Sequence, residues 1–156
     1  MNLSRIAADK PLSTQIWQSG WIDEVNKLIA TVPQPFGIVS LAIDRTIDTA
    51  GTSDLVPQRS FLFEHTLADS AEGLLSDAQL TRLASTLVSY MDKGFNLHIH
   101  CISGQSRSSY ITGAVLSTAL GIPGSESIAL IFRDRPGARE HMQPSFQDHL
   151  KRLFPG

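Results

Sequence analysis

The chain has a single cysteine among its 156 residues, Cys101. No internal disulfide can form, and the multi-cysteine sets that hold structural zinc are excluded. No apolar run approaches the ~20 residues that a membrane-crossing helix needs, and Met1 to Lys10 contains no apolar stretch of signal-peptide length. Charged residues are few, at 18%, and the net charge is only −2. Without a basic excess the chain is a poor candidate for a general binder of nucleic acid or of acidic membranes. There is no internal repeat, low-complexity tract or interdomain linker. The expectation is one domain over residues 1–156, with 1–11 as a loose N-terminal segment, in a reducing compartment such as the cytoplasm.

What is present is a 42% hydrophobic content cut into short blocks of changing period. Leu12 to Gln18, with Ile16 and Trp17, predicts a short edge strand. Trp21, Ile22, Val25, Leu28 and Ile29 follow helical spacing that stops before Pro33 and Pro35. Gly37 to Ala42 has the length and branching of a buried strand, and residues 43–58 are a polar, turn-rich connection. Phe61-Leu62-Phe63 starts a strand that runs out at Thr66-Leu67. Ser76 and Gln79 have the spacing of a capping box, ahead of a helix with Leu80, Leu83, Leu87, Val88 and Met91 on one face and Gly94 at its end. Phe95 to Ile99 is strand-like. Helical patterns follow as far as Gly121, from Ser125 to about Asp134, and from Pro144 onward with Phe146, Leu150 and Leu153 on a face. Alternating strands and helices predict an α/β fold with a mostly parallel central sheet of about four to five strands flanked by helices.

One stretch carries chemistry: His100-Cys101-Ile102-Ser103-Gly104-Gln105-Ser106-Arg107-Ser108. A thiol stands where a strand ends and an arginine where a helix begins, with small or neutral residues between. Backbone N–H groups in such a turn converge on an anion, and the helix N-terminus adds its positive end. Arg107 can fork onto two oxygens of a bound phosphate. The same field favours thiolate over thiol at Cys101, and the thiolate is the nucleophilic form. His98 and His100 share a strand face beside the thiol, but no further ligand cluster follows in the sequence, so no metal site is expected.

His-Cys-x5-Arg-Ser resembles the active-site loop of the cysteine-based protein phosphatases, and His-Cys-x-x-Gly-x-x-Arg-Ser looks most like their dual-specificity branch. Gln15 to Gly20, Gly37 to Leu41, and Phe132-Arg133-Asp134-Arg135-Pro136 with Phe146 and Leu150 are looser apolar matches to the same family. The resemblance implies a protein-tyrosine-phosphatase-like fold and a cysteinyl-phosphate intermediate. It gives Cys101 the role of nucleophile, and leaves the phosphate to Arg107 and the loop residues Ile102, Ser103, Gly104, Gln105 and Ser106. Ser108 would ease breakdown of the thiophosphate, and His100 would tune the loop by bonding its backbone. A thiolate displacing an alkoxide or phenolate needs a proton donor beside the leaving oxygen. The family places an Asp on a loop upstream, and Asp69, in Leu67-Ala68-Asp69-Ser70, fits that context better than Glu64, Asp77 or Asp92.

Two departures stand out. Ser109 occupies a position where related enzymes often have glycine. Ile102, Ser103, Gln105 and Ser106 bring no Lys or Arg, where phosphoinositide-directed relatives typically carry extra cations. The expected activity is therefore hydrolysis of phosphotyrosine, with phosphoserine and phosphothreonine as further substrates. A phosphorylated protein or peptide would be the partner, and no cofactor, nucleic acid or membrane is expected. A phosphatase of RNA 5′ ends or of another small phosphate ester, and a phosphate-binding module without turnover, stand as alternatives.

Overall fold

The computed structural model describes residues 2–20, 25–42 and 61–156. In chain order the elements are β1 (Ser4–Ile6), β2 (Ile16–Ser19), α1 (Val25–Thr31), β3 (Phe36–Ser40), β4 (Phe61–Glu64), a short 3-10 turn (Ala71–Gly73), α2 (Asp77–Asp92), β5 (Asn96–His100), α3 (Arg107–Leu120), α4 (Gly124–Asp134), α5 (Ala138–His141) and α6 (Pro144–Leu153). The five strands form one sheet in the order β1-β2-β5-β3-β4. Among the described residues only the β1–β2 pair is antiparallel; β2–β5, β5–β3 and β3–β4 are parallel. The fold is thus the α/β arrangement that the alternation of strand and helix patterns predicts.

Register explains why the chemistry collects at one end. His100 is level with Ser19 on one side and with Ser40 on the other, and Ser40 is level with Glu64. Four strands therefore finish together, and the segments that leave them meet at the carboxyl end of the sheet, where open α/β sheets place ligands. β5 lies in the middle and is buried along its whole length. Its alternation sends Leu97, Ile99 and Cys101 into the larger core with the face of α2, while Asn96, His98 and His100 turn to the other side. A smaller cluster of Leu28, Val32, Phe36 and Ile38 covers that second face.

α2 begins at the capping box, with Ser76 and Gln79 exchanging both bonds. It buries Leu80, Leu83, Leu87 and Met91, each contributing about 1.5–3 kcal/mol by removal from water. α3 is buried on all sides from Ser108 to Ser117, packed between α2, α4 and α6 and against the sheet. A side chain on Gly113 would collide with Leu150 of α6, so this glycine sets how closely the two helices approach. Gly121 takes the left-handed cap at φ 64° and ends α3.

Two expectations need correction. The strand at Ile16–Ser19 lies inside the sheet, not at its edge. The edge on that side is β1, within the stretch expected to be a loose start. Three residues are too few to show a period of two, and β1 is held by contacts distant in sequence. Ile6 is buried, and Ala7 N–H donates to Asp134 Oδ2 at 2.8 Å. Trp21 and Ile22 of the first helical pattern, and the polar connection at 43–58, lie outside the described residues.

Candidate active site

Cys101 follows the last residue of β5, and Arg107 is the first of α3. The turn between them closes because Gly104 adopts φ 72° and lies against the backbone of Ser19 and Gly20, where any Cβ would collide. Five carbonyls of the loop are bonded to surrounding groups. Cys101 O accepts from His100 Nδ1 at 3.3 Å, Ser103 O from Arg135 Nη2 at 3.2 Å, and Gly104 O from Gln18 Nε2 at 2.9 Å and from Arg135 Nε. Gln105 O accepts from Ser109 Oγ at 2.8 Å, and Ser106 O from Tyr110 N at 3.0 Å. In a trans peptide the N–H points opposite to the C=O. The N–H groups of Ile102, Gly104, Gln105, Ser106 and Arg107 consequently face away from these donors, as the amides of an anion-binding nest do. Ser109, the departure from glycine, holds one of these carbonyls and itself accepts from Gln18 Nε2 at 2.7 Å.

Cys101 is 2% exposed, and its Sγ lies 3.4 Å from Ser108 Oγ, itself buried on the first turn of α3. Arg107 donates through Nη1 to Leu67 O at 3.0 Å. Its buried Nε has no partner among the described residues, so the guanidinium keeps unused donor capacity for an oxyanion. Beneath the loop, His98 and His100 stack at 5.9 Å. Ser19 Oγ donates to Gly20 O, so it accepts from His98 Nε2 at 2.7 Å, which places the His98 proton on Nε2. Burial lowers the pKa of His98 well below the usual histidine value, with the charges of His100 and Arg135 acting the same way. Burial lowers His100 to about 4, against a smaller upward effect of its bond to the Cys101 carbonyl. Both rings are neutral at pH 7. Among the described residues no group of three or more His, Cys, Asp or Glu side chains could hold a metal ion.

Asp69 is exposed on the segment that follows β4. That segment is attached to the cysteine loop at two points. Arg107 takes Leu67 O, and Gln143 Nε2 donates to Asp69 O at 3.0 Å while Gln143 N donates to Ser106 Oγ at 3.0 Å. It is closed on itself where Gly73 packs on the backbone of Ala68, with no room for a Cβ. Farther along, Leu75 N donates to Tyr110 OH at 3.2 Å, tying the segment to α3. Two of the competing carboxylates are engaged by other side chains. Asp77 is bound by Arg152 and His149, and Asp92 accepts from Ser13. Glu64 is exposed at the end of β4.

Gln18, Arg135 and Gln143 shape this site and were not legible as site residues in the sequence. Arg135 stands in an Arg-Asp-Arg-Pro run that reads as a solvated helix end. Gln143 precedes the first-turn proline of α6, which offered a weak signal: a residue there keeps its amide outside the helix.

No protein-family model and no curated protein matches the chain. Solved structures do. PTPMT1 superposes with a TM-score of 0.75 over 98% of this chain and 94% of that chain, at 17% identity. Human DUSP28 gives 0.71 over 96% and 94%, at 16% identity. Tk-PTP in its active form gives 0.63 over 96% and 95%, at 19% identity. PTPMT1 in complex with PI(5)P also matches, with a TM-score of 0.68 at 17% identity over 97% of this chain and 94% of that chain. The chain therefore has the fold of the dual-specificity and protein-tyrosine phosphatases. No helix among the described residues is long and apolar enough to cross a membrane.

Proposed function

We propose that this chain is a cysteine-dependent phosphatase that hydrolyses phosphomonoesters on proteins: phosphotyrosine, with phosphoserine and phosphothreonine as slower substrates. One observation carries the reading. A buried thiol lies 3.4 Å from a serine hydroxyl on the first turn of a buried helix, at the start of a loop five of whose carbonyls are hydrogen-bonded and whose arginine keeps an unpartnered donor. The likeness in fold supports the same assignment.

In the first step Cys101 Sγ attacks phosphorus, the S–P bond forms, and the P–O bond to the leaving group breaks. Asp69 in its acid form delivers its proton to the leaving oxygen. In the second step water attacks phosphorus and gives a proton to the Asp69 carboxylate. The S–P bond breaks, and the Ser108 hydroxyl donates to the returning thiolate. The amides of residues 102–107 and Arg107 hold the equatorial oxygens throughout, and such fixed donors supply the largest part of the acceleration. His100 holds the Cys101 carbonyl and keeps the loop's first peptide oriented. The chemistry calls for neither metal nor organic cofactor. A reducing compartment, the cytoplasm, suits the lone thiol, and neither nucleic acid nor membrane is a proposed partner.

The PI(5)P complex of PTPMT1 gives a second reading, hydrolysis of a phosphoinositide. Ile102, Ser103, Gln105 and Ser106 bring no cation to meet a second phosphate, which favours the phosphoprotein. A panel of phosphotyrosine, phosphoserine and phosphothreonine peptides, run beside phosphoinositides and 5′-phosphorylated RNA, tests the choice. Phosphopeptide turnover ahead of the lipid and RNA substrates is expected; the reverse order overturns it.

A further inference from the structure

We infer that Arg135 is a positioning residue of the phosphate loop: its buried guanidinium holds the Ser103 and Gly104 carbonyls from behind and so keeps the loop amides turned toward a bound oxyanion. This rests on reading the loop as the phosphate site. Arg135 is 2% exposed and lies just past the end of α4. Besides the two loop carbonyls it donates through Nη1 to Asn2 O at 2.8 Å, to Ser4 Oγ at 2.9 Å and to Gln18 O at 3.3 Å. Among the described residues no carboxylate pairs with it.

A buried cation without a counter-anion carries a desolvation penalty. If its only use were to fasten β1 and β2 to the end of α4, a neutral donor would serve at lower cost. The charge has a use in what lies across the loop. Burial lowers the Arg135 pKa, while negative charge at Cys101 acts in the opposite direction, so the guanidinium and the thiolate lie within each other's field. The loop is thus bracketed by two arginines. Arg107, at its far end, keeps a donor without a partner among the described residues. Arg135, behind the loop, occupies the carbonyls that would otherwise be free to turn and meet the anion with their negative ends. The planar fork matters because Nε and Nη2 bond successive carbonyls on one edge of the guanidinium. A lysine could bond one of them but not hold both in one plane.

The test is alkylation of Cys101 by iodoacetate and by iodoacetamide at pH 7, in the wild type, Arg135→Met and Arg135→Lys, with circular dichroism and thermal melting to establish folding. The anionic reagent reports the loop's attraction for an anion, while the neutral reagent reports access to the thiol. Turnover is not needed. In the wild type iodoacetate should react preferentially, and inorganic phosphate should protect. In Arg135→Met the iodoacetate-to-iodoacetamide ratio should fall roughly tenfold or more, as for loss of charge-assisted bonds, with Arg135→Lys in between. A folded methionine variant with the wild-type ratio overturns the inference. Where that variant does not fold, a lysine variant with the wild-type ratio overturns it. A wild type without preference or phosphate protection overturns the underlying reading of the loop instead.

Discussion

Asp69 is exposed, and among the described residues its segment is tied to Arg107 and Gln143 through the backbone carbonyls of Leu67 and Asp69. The carboxylate itself therefore has little structural duty, so Asp69→Asn should fold as the wild type does. Its kcat should fall roughly 10²–10⁴-fold on ordinary phosphopeptides. The defect should shrink on an activated phenyl phosphate, whose leaving group needs no proton. Steady-state kinetics on the two substrates checks this, and the same pattern in Glu64→Gln instead would move the acid to Glu64. Ser108→Ala should leave formation of the intermediate intact and slow its breakdown, giving a burst of phenol release in stopped flow. Asp69 and Ser108 could be picked out as candidates because the loop motif is contiguous and Asp69 lies in a recognisable short context. Arg135 and Gln143 were not. Their partners are far away in sequence, so no local spacing marks them.

At the scale of elements, Gln143 is the joint between the start of α6, the cysteine loop and the Asp69 segment. Gln143→Ala removes the side-chain bond to Asp69 O but keeps the main-chain bond to Ser106. The loop should still bind vanadate as the wild type does, while kcat falls more on substrates whose leaving group needs the acid than on those whose leaving group does not. Weakened vanadate inhibition would show that the side chain supports the phosphate loop itself. Elsewhere, Leu87→Ala on the buried face of α2 should cost about 2–5 kcal/mol, measured by urea denaturation. α2 and α3 were legible because a 3.6-residue period over many residues, with a capping box or a terminal glycine, overdetermines a helix. β1 was not, since three residues carry no period. Its pairing with β2 arises from contacts that reach to the far end of the chain.

For the whole molecule, the paired histidines under the loop set an acid limit on stability. The unfolded chain protonates His100 near 6.5, while the folded protein keeps it neutral down to about 4. Between these values the unfolded state binds the extra proton, so stability is complete above about pH 6.5 and falls as pH drops toward 4. The separation amounts to roughly 3 kcal/mol for His100 alone; His98, shifted in the same direction, adds to it. Asp77 behaves differently. Arg152 and His149 hold its carboxyl below the usual range, so its contribution persists until the pH passes below ordinary carboxylate values. Urea midpoints from pH 7.5 to 4.5 should decline with the wild type, and a His98→Gln variant that still folds should decline less. A flat profile would contradict the neutral, buried pair.

The central claim is that a phosphoryl group passes through Cys101, and trapping it is the most direct measurement. Asp69→Asn, mixed with an activated phenyl phosphate and quenched in acid within milliseconds, should yield a Cys101 peptide heavier by one phosphoryl group. Digestion and mass spectrometry would locate it, and Cys101→Ser should give no such adduct and no turnover while still binding vanadate. Wild-type-level hydrolysis by Cys101→Ser, or a phosphoryl group carried on any other residue, would contradict the account.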